Sequence, residues 1–146
     1  MGYQIISVTN NGVDTKVLGI SYKSAAGVFQ PLYTTMDQAL ENLKTLLLTR
    51  VGERYGQPEY GTFLLNAIFE PNVAQLKNEI KDFIVPKIST FLPYIDIQDI
   101  TIITAEDDPT LNYNIQLTIT FSVANFSTRS ITVSATENGA LEVTNT

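Results

Sequence analysis

The stretch LLLTRVGERYGQPEYGTFLLNAIFEPN, residues 46–72, joins two apolar runs through a segment crowded with turn formers and charge. Between the runs lie Arg50, Gly52, Glu53, Arg54, Gly56, Pro58, Glu59 and Gly61. Glycines interleaved with a proline mark a chain that turns sharply several times. The Arg and Glu residues can satisfy one another and the turn carbonyls through charge-assisted hydrogen bonds. Two structural readings stand side by side. One is an ordinary helix-to-helix loop with solvated charges; the other is a corner locked by Glu59 and Glu70 pairing with Arg50 and Arg54. A catalytic reading, with two of Glu53, Glu59 and Glu70 flanking a glycosidic bond, meets a physical objection. A neighbouring guanidinium keeps a carboxylate ionised, whereas a general acid needs a raised pKa.

On the N-terminal side, Thr35 and Gln38 stand at capping-box spacing, and Met36, Leu40, Leu43 and Leu47 recur at helical spacing, widened by Ala39 and Leu46. This predicts a helix that stops by Gly52. On the C-terminal side a short helix is expected over Thr62–Phe69, and Pro71 suits the first turn of a third. The apolar face of that third helix reads Val73, Leu76, Ile80, Phe83, Ile84, Ile88 and Phe91. Pro86 should kink it or open a turn, and Pro93 should end it.

The apolar period then falls from about 3.6 to 2. Ile95, Ile97, Ile100 and Ile102 predict a strand with a one-residue phase shift, the signature of a bulge. Glu106-Asp107-Asp108-Pro109 reads as a solvated turn, since the alternating ligands and glycine of a calcium loop are missing. Tyr113, Ile115, Leu117, Ile119, Phe121 and Val123 alternate without a fault, as do Ile131, Val133 and Ala135. Asn138-Gly139 marks a hairpin turn into Leu141 and Val143. At the other end, residues 3–9 and 16–23 read as a hairpin across Asn10-Asn11-Gly12, followed by an extended apolar arm over 28–33. Helices first and antiparallel strands afterwards give an α+β fold: about three helices on a C-terminal antiparallel sheet, with a small N-terminal β-hairpin. Residues 1–30 form the extension and 31–146 a single domain.

Composition narrows the chemistry. A chain of 146 residues that is 44% hydrophobic can bury a core. A net charge of −6 disfavours a nucleic-acid partner. The sequence contains neither Cys nor His, which excludes thiolate and Ser-His-Asp catalysis and His-ligated metals. No cofactor or metal is expected. No secretory signal or apolar run of about 20 residues is present, so a soluble chain made in a cytoplasm, with no membrane partner, is expected. The last strands, 126–135 and 140–144, carry almost no charge, which leaves a sheet edge thinly protected. That edge is either covered by the N-terminal hairpin or open to β-augmentation by a partner strand.

The order T-R-x-G-x-R, then P-E-Y-G, then L and F-E closely resembles the gene product 25-like baseplate wedge family of contractile-tailed phages, which has counterparts in type VI secretion baseplates. The resemblance runs from about Leu40 to Val123 and is sharpest from Thr49 to Pro71. Its signature falls on Arg50, Gly52, Arg54, Pro58, Glu59, Gly61, Phe69 and Glu70. It implies a structural protein of the tail baseplate, assembled in the host cytoplasm, six copies per baseplate. The implied partners are the other wedge proteins of the core bundle, the tail sheath protein and the tail tube or hub. It also implies that the C-terminal sheet templates the first sheath ring, so Phe126, Thr128, Ser130, Ile131, Val133, Leu141 and Val143 become the sheath-facing positions. The family's Glu-Pro-Arg docking tripeptide is here Leu92, Pro93 and Tyr94. A phenol cannot replace a bidentate guanidinium, so docking here is expected to be more apolar, with Leu92 and Tyr94 packing into the partner. Alternatives from other classes are a lysozyme-like peptidoglycan hydrolase, or the equivalent subunit of another contractile injection system.

Overall fold

A computed structural model describes residues 16–21, 30–67, 73–104, 107–111, 115–124, 127–135 and 141–145. The chain divides into two compact units, residues 1–38 and 39–146.

In the first unit, β1 (Gly19–Ser21) pairs antiparallel with β2 (Gln30–Leu32), with Ile20 opposite Pro31. The described partner of the 16–21 segment is thus part of the extended arm predicted over 28–33. The 3–9 run and the Asn10-Asn11-Gly12 turn lie outside the described residues. Helix α1 (Thr35–Leu48) opens at the end of this unit. Its cap is Thr34 rather than Thr35. The Thr34 hydroxyl accepts from Asp37 N–H at 3.1 Å and donates to the Asp37 carboxylate at 2.5 Å. The adjacent threonines compete for the cap, and the short Asp37 side chain, three residues on from Thr34, decides it.

In the second unit, the apolar stripe of α1 is buried at Ala39, Leu40, Leu43, Leu46 and Leu47. The described part of α2 is Leu64–Ala67, and α3 runs from Val73 to Phe91 without interruption at Pro86. Pro86, Asp82 and Val85 all face solvent. The Asp82 carbonyl that loses its helical partner at Pro86 thus lies on the solvent-facing side, where water can satisfy it and the helix can continue. Ile80, Ile84 and Ile88 form the buried stripe of α3, while Phe83 and Phe91 lie half-buried at its flank.

Strands β3 (Ile95–Ile103), β4 (Gln116–Val123), β5 (Arg129–Ala135) and β6 (Leu141–Asn145) form an antiparallel meander in that order. The bulge falls where the isoleucine phase slips. Ile97 pairs with Phe121 and Asp99 with Thr120, which leaves Gln98 as the extra residue. That shift returns Ile100 and Ile102 to the buried face alongside Ile95. Ile115, Leu117, Ile119, Phe121, Val123, Ile131 and Val133 complete that face, and α3 lies against β3. The opposite face is built of hydroxyls. Thr101, Thr118, Thr132 and Thr144 stand directly opposite one another across all four strands. The Thr118 and Thr132 hydroxyls are 3.1 Å apart, and those of Thr120 and Ser130 are 3.0 Å apart.

The acidic turn is closed by protein donors. Lys77 on α3 donates to Asp107 at 2.6 Å, and Thr104 adds its N–H at 3.0 Å and its hydroxyl at 2.8 Å. Asp108 accepts from the backbone and hydroxyl of Thr110 at 2.9 and 2.7 Å, capping a 3-10 turn over Pro109–Leu111. The Lys77 hydrogen bond, followed by those from Thr104, lowers the Asp107 pKa from 3.8 to about 2. A carboxylate whose folded pKa lies below its unfolded value stabilises the fold above the unfolded pKa, and that contribution is lost as pH falls through the folded one. Denaturation midpoints should therefore decline between pH 3.8 and about 2. Asp107→Asn should flatten that part of the profile in urea titrations followed by circular dichroism.

Candidate functional site

The corner between α1 and α2 is built on the helix ends it joins. The last turn of α1 leaves carbonyls without helical partners. Thr62, fully buried, collects them: its N–H donates to Thr49 C=O at 2.8 Å and its hydroxyl to Leu47 C=O at 2.8 Å. The same hydroxyl accepts from Leu64 N–H, the first residue of α2, at 3.3 Å. One threonine thus closes the end of one helix and the start of the next. Gly61 makes this approach possible. Its φ is +110°, and a Cβ there would lie 2.5 Å from Thr49 C=O. Gly52, at φ +88°, supplies the other left-handed residue, and its N–H donates to Pro58 C=O at 2.8 Å.

Among the described residues Glu59 pairs with neither Arg50 nor Arg54, while Glu70, the other acid of the expected lock, lies outside them. Among the described residues, the ion pairs are Lys44–Glu41 and Lys77–Asp107, and neither lies in the corner. Glu53 accepts instead from the Arg50 backbone N–H at 3.0 Å. Glu59 is exposed and contributes its main-chain carbonyl, which receives Lys87 of α3 at 2.5 Å. Arg54 stacks over Tyr60, 4.1 Å from the ring centroid, and Tyr60 meets Phe91 edge-on at 5.2 Å. Lys87 lies 5.5 and 5.6 Å from the Phe83 and Phe91 rings, and Phe83 stacks obliquely on Phe63 at 4.8 Å. Backbone hydrogen bonds and cation–π contacts hold the corner where carboxylate–guanidinium pairs were expected. The turns of the loop use main-chain groups, and Arg54 places its guanidinium over the Tyr60 ring. Phe69 and Glu70 lie outside the described residues. Pro58 is exposed and acts through its carbonyl.

Downstream of α3, Leu92 N–H bonds Ile88 C=O at 2.7 Å and Ile95 N–H bonds Leu92 C=O at 3.0 Å, which turns the chain directly into β3. Leu92 is only 5% exposed, so its side chain belongs to the unit's own core and does not present itself for docking. Pro93 and Tyr94 do face solvent, and the Tyr94 hydroxyl accepts from Asn42 of α1 at 2.6 Å. Of the sheet positions, Ile131 and Val133 are buried, Thr128 is exposed, and Ser130 and Val143 are partly covered. Phe126 lies outside the described residues, and Leu141 stands opposite Ala135 at the start of β6. Among the described residues, β6 is bonded to a neighbour on one side alone, and β1–β2 form a separate sheet.

The gp25 baseplate wedge protein family matches residues 35–125. This chain belongs to that family. The matched span takes in the corner, the Leu92–Tyr94 turn and strands β3 and β4; β5, β6 and the β1–β2 hairpin lie outside it. A chain of the post-contraction baseplate of pyocin R2 shares 18% identity with a TM-score of 0.54 over 73% of this chain and 100% of its own length. A crystal structure from Geobacter sulfurreducens, provisionally described as a tail lysozyme, shares 14% identity with a TM-score of 0.54, covering 78% of this chain and 89% of its own. Both likenesses are of fold. No curated protein sequence matches the chain.

The Thr62 hydroxyl is the functional residue that sequence reading missed. Its only signal was a threonine immediately ahead of an apolar run, which reads equally well as the first residue of the helix. Thr62→Val keeps the volume but strands the Leu47 carbonyl and the Leu64 N–H. It should cost roughly 1–3 kcal/mol, while Thr62→Ser should recover most of this in urea denaturation.

Proposed function

We propose that this protein is a structural wedge subunit of a contractile-tail baseplate, which docks on the wedge core and offers its sheet as the template for the first sheath strands. Family membership supports the baseplate role. The observation that carries the finer reading is β6, whose outer row of backbone groups has no strand partner among the described residues. This edge is thinly charged, with Glu142 in β6 and Arg129 in its neighbour β5, which favours an added strand. On this reading the copies, six to a baseplate, ring the tail tube. Docking to the wedge core falls to Pro93 and Tyr94, with Leu92 as the internal anchor that sets the turn.

The chemistry needed is association, not bond cleavage. Mixing the purified protein with its sheath subunit should give ordered sheath polymers under conditions where sheath alone stays dispersed, read by electron microscopy. Val143→Pro and Thr144→Pro test the edge. One of these removes an N–H facing β5 and the other an N–H facing outward, and the outward one should abolish nucleation while leaving the thermal transition nearly unchanged. Polymers that form equally well with both variants would sink the template role. Release of labelled peptidoglycan that disappears in Glu59→Gln or Glu70→Gln would replace the structural reading with a hydrolytic one. Separately, Tyr94→Ala should weaken capture of the wedge core in a pull-down more than Tyr94→Phe, which loses only the hydroxyl bonded to Asn42. Equal capture by wild type and Tyr94→Ala would remove Tyr94 from the interface.

A further inference from the structure

The two outer strands of the four-stranded sheet are built differently. Among the described residues, β3 and β6 are each bonded to a strand on one side alone. The register of β6 with β5 runs without a break from Leu141 to Asn145. That of β3 with β4 does not. The extra residue Gln98 divides β3 into Ile95–Ile97 and Asp99–Ile103, so the row of backbone groups along the strand changes spacing near its middle. An acid stands on each side of the bulge. Asp96 is opposite Ser122 and Asp99 opposite Thr120, which places both on the hydroxyl-rich face, and both are exposed. Gln98 Nε2 donates to the Asp96 carboxylate at 2.9 Å and to the Ser122 hydroxyl at 3.1 Å, while the Thr101 hydroxyl donates to Asp99 at 2.8 Å. The side chain of the bulge itself thus fixes one acid, and a threonine further along the strand fixes the other. Turns of the same chain use backbone groups at both ends: Ile95 N–H bonds Leu92 C=O at 3.0 Å, and just past the strand Thr104 C=O accepts from Asp107 and Asp108 N–H at 3.0 and 2.9 Å.

A bulged and charged outer strand resists pairing. A regular incoming strand cannot match the displaced backbone groups, and it would set its own side chains about 5 Å from fixed carboxylates. The strand most available for such pairing belongs to a second copy of this chain. If both outer strands accepted partners, β6 of one copy would add to β3 of the next, a head-to-tail contact that propagates into filaments unless the rotation between copies closes a ring. Resting on the reading of β6 as a template, we infer that β3 is a closed edge. The bulge at Gln98 and the acids Asp96 and Asp99 exclude β6 of another copy, so the sheet can be extended in one direction only, outward from β6. A subunit that templates the strands of a different protein needs this asymmetry, because self-addition would consume the template.

The test opens β3 in the full chain. Deleting Gln98 makes the register with β4 continuous, since Ile97 already pairs with Phe121 and Asp99 with Thr120, and Asp96→Thr with Asp99→Thr removes the acids. Sedimentation velocity on the purified chain alone should give a constant average mass for wild type across concentrations and a several-fold rise for the opened chain. Adding the proline at Val143 or Thr144 that removes the outward N–H of β6 should reverse that rise, which ties the association to a β6–β3 pair. The two Asp→Thr changes without the deletion keep the bulge and should give a smaller rise; they decide the matter if thermal melts show that the deletion prevents folding. A folded opened chain as dispersed as wild type, or association that survives the β6 proline, would overturn the closed edge. Sheath nucleation by the wild-type chain is read separately. Its failure beside association of the opened chain would remove the template role and leave the closed edge standing.

Discussion

The second unit depends on one buried hydroxyl. Thr62 joins two helix termini whose backbone groups would otherwise be sealed from water without partners, its hydroxyl donating to one and accepting from the other. Around it the chain has little freedom. Gly61 must lie against Thr49 C=O, Gly52 must take a left-handed turn, and Tyr60 must then fall beneath Arg54 and against Phe91. Lys87 completes the link from α3 by donating to Glu59 C=O between two phenylalanine rings. The loop between the two helices is tied to α3 by the Lys87 ammonium on a main-chain carbonyl and by the Tyr60–Phe91 ring contact.

That scaffold positions the sheet. α3 lies against β3, and the turn at Leu92 leads the chain from one into the other within a few residues. The bulge at Gln98 keeps the isoleucines of β3 on the buried face through the change of phase. The opposite face carries rows of threonine and serine, paired hydroxyl to hydroxyl, with no charge in the Thr101–Thr118–Thr132–Thr144 row. One face is thus apolar and buried and the other rich in hydroxyls.

Where periodicity alone carried information, sequence reading was accurate. The faultless alternation from Ile115 to Val123, the phase slip in β3, the stripe of α1 and the order of helices before strands all appear as read. Local competition defeated it at the cap of α1, where Thr34 and Thr35 are both suitable and only the reach of Asp37 separates them. In the corner, Arg and Glu side by side suggested ion pairs, and Glu59 forms none among the described residues. Charge-assisted pairing is a statement about types, whereas stacking of Arg54 on Tyr60 depends on where the backbone sends the two side chains. Leu92 is the sharpest case. As the first residue of a docking tripeptide it was assigned to a partner, yet an apolar residue at the start of a turn is claimed first by the nearest core.

The sequence by itself determined the elements, their order and the faces they bury, because burial follows from the spacing of apolar side chains along a single strand or helix. It also determined the family, through a corner whose glycines are required by backbone geometry. Only the tertiary structure decided which groups close that corner and which strand pairs with residues 16–21. It alone showed which of Leu92, Pro93 and Tyr94 reach the surface. These depend on contacts between residues far apart in the chain, such as Asn42 with Tyr94 and Lys87 with Glu59, and no local pattern encodes the distance between them.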